Sequence, residues 1–460
     1  MKKILIILST ILLAYSCTKE LEELNVNKKD FASTTDVAEF TTAQQKLFTQ
    51  ITETNVNKNI FRLIAQYWTE TTYADESNYD LKTRRIDEVK ANKLAVLELY
   101  EIYTYYVLAI SFGDIPYSGA LDAGLSSEAI DIEILNPAFD SQESIISDLL
   151  TRLDSNVISK LNTGAMGFSA SEDVVYIGNI VSWKKFANSL KLQIGMLLDD
   201  KNPTLAKTTV SSGMSGGVFG SSADNIKIDF EGAAPYTNPV HSALVLSGRD
   251  EYVPTATLVN LMNTLNDPRR DDYFTLKNDT YIVAPNGVEN LFGDFSHISE
   301  KIADDPKLEA PLLTYFEIEF LIAEAIERNF LSLATTAADH YENAIKASIK
   351  YWGGTDSEAS DYLGQESFAY ATASGDYKEK IGIQKWIALY NRGFEAWNSC
   401  RKLDFPVLIA PEAAKTDNQK PPHRLTYPTV ELSLNETNLK SAGTAIGGDE
   451  LETKLFWDVN

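Results

Sequence analysis

The sequence predicts a mainly α-helical protein of tetratricopeptide-like helix pairs, with long irregular loops and minor β-structure. Three observations predict it. Apolar residues recur at intervals of three or four, as in Leu97, Tyr100, Tyr103, Val107 and Ile110, the spacing of one buried helix face. Leu321 and Ala325, then after a turn Ala337, Tyr341 and Ala344, match the small and apolar positions of a tetratricopeptide-type pair. Two-residue alternation is confined to short pieces such as IKIDF at 226–230, so little sheet is expected.

The elements follow in chain order. Lys2 and Lys3, an apolar run from Ile4 to Leu13, and small residues at Ala14 and Ser16 have the three-part pattern of an export signal over residues 1–16. A membrane-spanning helix needs about 20 mostly apolar residues, and the run is about half that long. Cys17 follows directly. A cysteine that becomes the first residue after cleavage points to a bacterial lipoprotein, because its thiol can carry a diacylglyceryl group and its freed amine a further acyl chain. Several chains give durable anchoring where one gives marginal binding. Residues 18–36, TKELEELNVNKKDFASTTD, are polar and without apolar period, so 17–36 is read as a lipidated N-terminus and flexible tether. Residues 37–460 form the ligand-binding body.

Within that body, helical stripes run through 142–161, 182–198, 314–330, 338–351 and 380–402. Trp183, Phe186, Ala187 and Leu190 repeat the first-helix part of the paired pattern, and Trp183, Trp386 and Trp397 fall on core stripes. Three stretches, 211–225, 232–252 and 403–424, are too long for tight connections. Loops of that size on a rigid scaffold are where binding resides. The irregular segments are also rich in rings: Trp68, Tyr73 and Tyr79 in QYWTETTYADESNYD, then Tyr236 and Tyr252. Flat rings stack on the apolar faces of sugars while neighbouring Asp, Asn and Ser groups bond the hydroxyls. These five are the candidate ligand-binding residues.

Charge narrows the ligand class. With 41 Lys and Arg against 65 Asp and Glu, the net charge of −24 opposes nucleic acid and anionic lipid. With Cys17 lipidated, Cys400 has no intramolecular partner, so no disulfide framework is expected. Gly213-Met214-Ser215-Gly216-Gly217 fits the G-x-S-x-G string of a serine hydrolase, and keeps an alternative open: a secreted or surface-anchored hydrolase acting on glycans or esters. A nucleophile elbow needs a strand before it and a helix after it, whereas this string lies in a Gly/Ser-rich stretch. His241, His297, His340 and His423 are widely spaced and show no metal-ligand pattern. No catalytic residue, metal site or cofactor is assigned.

Seven motifs stand in order: GDIPYSGAL (113–121), WKKFANSLKLQIGM (183–196), LNDPRRDDYF (265–274), YFEIEFLIAEA (315–325), IQKWIALYNRGFEAWNSCRKLDFPVL (383–408), HRLTYPTVELSLNETN (423–438) and LFWD (455–458). In this order, behind a lipoprotein-type cysteine, the chain resembles the SusD/RagB family of outer-membrane nutrient-binding lipoproteins. The family pattern tends to have paired arginines where this chain has Arg401 and Lys402, and two tryptophans where it has Phe456 and Trp457. The resemblance implies four tetratricopeptide-like units supporting a variable ligand-binding region. It also implies capture of glycans or peptides without hydrolysis, and a TonB-dependent, SusC-like transporter as partner. The charged string Lys19-Glu20-Leu21-Glu22-Glu23 looks like the signal that directs such lipoproteins to the outer face of the outer membrane.

Overall fold

In the computed structural model, the described residues are 36–55, 59–71, 77–79, 95–123, 136–163, 168, 172–366, 369–416 and 419–459. The export signal, Cys17 and all of the tether except Asp36 lie outside them, as does Tyr73. Residues from Ala43 onward form one unit. The preceding unit ends at Thr42, and its described part is the start of helix Asp36–Thr52.

The body is mainly helical, as the apolar stripes predict. Four successive helix pairs carry it: Ala95–Phe112 with Gln142–Arg152, Ile180–Leu197 with Pro203–Gly216, Tyr315–Glu327 with Ala337–Tyr351, and Tyr377–Ala388 with Gly393–Leu403. Their starts are specified locally. Ser141, Asn179, Asn202, Thr336 and Asp376 each accept a backbone amide of the first helical turn, satisfying donors that a helix cannot pair internally. Thr314 and Glu317 form a reciprocal capping box at the third pair. The faces behind these caps are apolar: Trp183, Phe186, Ala187 and Leu190 are fully buried, as are Leu321, Ala325, Tyr341 and Ala344. Trp183, Trp386 and Trp397 all lie in the core.

Two stretches differ from the sequence reading. The Gly/Ser-rich run at 211–225 is not all loop, because residues 211–216 complete helix Pro203–Gly216. Its glycines are small because the neighbouring helix is close. A Cβ on Gly213 would come within 2.9 Å of the Asn188 carbonyl oxygen, and one on Gly195 within 2.9 Å of Thr209. Ser215 therefore sits inside a helix, where its hydroxyl donates to the Ser211 carbonyl at 2.8 Å. No strand precedes it, so the nucleophile elbow that a hydrolase would need at this string is not formed. The stripe at 380–402 is two helices, interrupted at 389–392. There the absent side chain of Gly393 admits the backbone of Phe61 and Arg62.

Sheet is minor. Trp68–Glu70 pairs antiparallel with Tyr252–Pro254, Ile115–Pro116 with Phe139–Asp140, and Ile226–Ile228 with Ala310–Leu313. The first of these ribbons carries the long loops onto the scaffold. Among the described residues, no helix is long and apolar enough to cross a membrane.

Candidate functional site

The first ribbon supports a surface on which four segments converge, 66–71, 77–79, 284–297 and 405–416. Hydrogen bonds of backbone and side chains lock them together. Gly287 N–H donates to the Thr69 hydroxyl at 2.8 Å, and Asn290 N–H to the Thr71 carbonyl at 3.0 Å. Asn78 donates its amide to the Gly287 carbonyl, Lys415 N–H donates to the Asn78 carbonyl, and the Gln66 amide donates to the Ile409 carbonyl. Gly287 is required here. Its φ is +70°, and a Cβ would come within 2.6 Å of Pro411 and 2.8 Å of Asn78, so the loops meet only because no side chain stands between them.

These segments leave apolar side chains in water. Val288, Leu291, Val407 and Ile409 are exposed, the last three by 70% or more. Beside Leu291, the Phe292 ring stacks on His297 with centroids 4.0 Å apart and planes 15° apart. The Asn286 side-chain amide, one residue before Gly287, is buried at both its oxygen and its nitrogen, and neither atom has a hydrogen-bond partner. Exposed apolar faces suit a sugar, since one side of its ring is hydrocarbon.

The candidate aromatics divide. Trp68, Tyr79 and Tyr252 are core residues, which revises their reading as ligand-stacking rings. Trp68 is packed between Arg62, 4.9 Å from its ring, and Tyr252, 5.4 Å away, and donates its indole N–H to the Tyr390 hydroxyl at 2.8 Å. Tyr79 has no exposed surface, and its hydroxyl accepts the Gln66 amide. Burial pushes both tyrosine hydroxyls well above their ordinary pKa. The three are thus the foundation of the loop surface. Tyr236 is exposed but stands on a separate turn, fixed where Asn238 bonds the Pro306 and Leu308 carbonyls. The neighbouring Lys307 and Leu308 line a charged cleft of about 500 Å³ with Lys227, Asp229, Glu309 and Trp352. Phe292 and Leu291 were not evident as site residues from the sequence. Their one signal is position within the irregular stretch 275–299, which carries no apolar period.

The histidines serve separate local roles. His241 bonds the Ala303 carbonyl, His423 bonds Asp458, and His340 bridges Glu319 and Thr335. Among the described residues no group of three or more His, Cys, Asp or Glu side chains is arranged to hold a metal ion.

Residues 28–428 match the SusD-like family, described as starch-binding and associating with the outer membrane. The chain belongs to the SusD-like family. Solved structures of the same fold include a chitin-binding SusD homologue from Flavobacterium johnsoniae, with a TM-score of 0.75 and 22% identity over 92% of this chain and 99% of that one. SusD homologues from Bacteroides ovatus (TM-score 0.75, 23% identity, 93% of this chain and 100% of that one) and Bacteroides uniformis (0.74, 23%, 92% and 99%) are similar to it in the same way. No curated protein matches it. At these identities the structures speak for the fold, the SusD-like helical scaffold.

Proposed function

We propose that this SusD-like protein is a glycan-binding lipoprotein on the outer face of the outer membrane, anchored through Cys17, that passes its ligand to a TonB-dependent transporter. The observation that carries the binding role is the loop surface, where exposed apolar side chains and the Phe292 ring stand on a rigid base. Starch-type and chitin-type oligosaccharides are the first ligand classes to test, on the strength of the family and of the chitin-binding homologue. Peptides are the second. Capture without hydrolysis is supported by the location of Ser215 within a helix.

The anchoring role rests on the short apolar run before Cys17 and the polar tether after it. A tethered receptor raises the local ligand concentration at a pore, so modest affinity is sufficient to load a transporter. Cys17→Ala is expected to leave the protein unprocessed or released from the outer-membrane fraction, as read by mass spectrometry and fractionation. An unchanged acylated N-terminus in that variant would overturn the assignment. Mild detergent extraction of the wild type is expected to recover a TonB-dependent barrel with it. Recovery of the lipoprotein alone, with uptake unimpaired by its deletion, would contradict the partnership.

A further inference from the structure

Glu319, His340 and Thr335 form a hydrogen-bonded relay on the third helix pair, with no residue in the loop segments described above. Glu319 Oε2 lies 2.8 Å from His340 Nδ1, and His340 Nε2 lies 2.8 Å from the Thr335 hydroxyl oxygen. Glu319 and His340 are buried, whereas Thr335 is exposed. The direction of each bond follows from which groups can donate. A carboxylate only accepts, so the neutral imidazole carries its hydrogen on Nδ1 and leaves Nε2 as an acceptor. Thr335 must then donate its O–H to Nε2. That is the polarity in which an imidazole relieves an attacking hydroxyl of its proton.

The backbone around Thr335 adds a second element. Thr335 immediately precedes Thr336, the N-cap of helix Ala337–Tyr351, which is 15 residues long. Thr336 and Asp339 satisfy one another in a capping box. The amides of Ala337 and Ala338 have no acceptor within the helix. They lie at its positive end, next in the chain to Thr335, and share that end with the Asp339 carboxylate of the capping box. Burial gives the carboxylate and the imidazole Nδ1 to each other, and Thr335 satisfies the remaining imidazole nitrogen, Nε2, while standing at the exposed end of the relay.

We propose that Thr335 is a nucleophilic modification site that accepts an acyl group from an acyl ester. As Thr335 Oγ bonds to the acyl carbon, His340 Nε2 takes its proton. Collapse of the tetrahedral intermediate breaks the bond between the acyl carbon and the alcohol oxygen, and the departing alkoxide recovers the proton from Nε2. The products are O-acyl-Thr335 and the free alcohol, with no oxidant or reductant consumed. Glu319 is a positioning residue that holds the Nδ1 hydrogen and stabilises the transient imidazolium. An O-acetylated sugar is an ester of the required class.

The test uses the full-length protein and p-nitrophenyl acetate, reading nitrophenolate release, intact mass and the acetylated peptide. One acetyl group on the peptide containing Thr335 is expected, or, where the adduct hydrolyses as fast as it forms, steady nitrophenolate release. Both are lost in Thr335→Val, an exposed position that keeps the side-chain shape. His340→Gln is expected to slow the step by about 10²–10⁴-fold, the usual contribution of a general base. Where that variant fails to fold, Thr335→Val decides alone. Acetylation confined to lysines, nitrophenolate release unchanged in Thr335→Val, or equal acylation of Thr335 in a folded His340→Gln would each overturn the proposal.

Discussion

Lys402→Ala is expected to destabilise the protein by about 3–5 kcal/mol, the cost of breaking a buried ion pair by removing one partner. Lys402, on helix Gly393–Leu403, contacts Asp199 Oδ2 at 2.7 Å and also Glu324, on helix Tyr315–Glu327. Both carboxylates are buried, and Arg328 reaches Asp199 from the other side at 2.7 Å. The network joins two of the scaffold helices to the turn that follows helix Ile180–Leu197. Burial pushes Asp199 up to about 7 against the pull of Lys402. Burial would also raise Glu324, but Lys402 and Lys385 hold it below the usual carboxylate range. Without Lys402 both carboxyls lose their principal cation, so their folded-state pKa values rise and the protonated forms are favoured. A carboxyl whose pKa is higher folded than unfolded loses stability as pH climbs from the unfolded to the folded value. The deficit of Lys402→Ala should therefore be smaller at pH 5 than at pH 8. Denaturant titrations at the two pH values check this, and an equal deficit at both would contradict it.

Gly393→Ala is expected to cost about 3 kcal/mol or more, at the upper end of overpacking changes. A Cβ at position 393 would lie 2.4 Å from the Arg62 nitrogen and 2.4 Å from the Phe61 carbonyl carbon. These are backbone atoms, which cannot rotate aside. Phe61 is also fixed by its ring contacts with Phe394, at 4.8 Å, and Trp397, at 5.3 Å. Movement of residues 61–64 would pass directly to Trp68 and Thr69, beneath the loop surface. The variant should thus show both a lowered melting temperature and weakened ligand binding. A wild-type melt would contradict the packing argument.

The helix pairs were legible because each buries one face, and a buried face writes its period of 3.6 into the local sequence. The caps were written just as locally, in residues such as Thr336 and Asp339. What escaped depends on distant neighbours. The run at 211–216 has the composition of a loop, yet its glycines answer to Asn188 on another helix. The break before Gly393 answers to residues more than 300 positions away. The same cause sorted the aromatics. Rings in an irregular segment bind ligand or support the loops according to what covers them. Trp68 is covered by Arg62, Tyr252 and Tyr390, which no local pattern links to it. Arg401 and Lys402, where the family pattern has paired arginines, proved to be structural. Arg401 packs over Trp397 and Trp457 at 3.6 and 4.9 Å, and Lys402 serves the buried ion network.

Calorimetric titration of the full-length protein with starch- and chitin-derived oligosaccharides, for the wild type, Leu291→Ser, Phe292→Ala and Ser215→Ala, tests glycan capture at the loop surface most directly. The expected result is saturable binding of an intact oligosaccharide. Each loop variant should weaken it about tenfold or more, the loss of roughly 1.4 kcal/mol, while Ser215→Ala binds as the wild type does. The contradicting result is either no oligosaccharide binding by folded wild-type protein, or affinity unchanged in both loop variants.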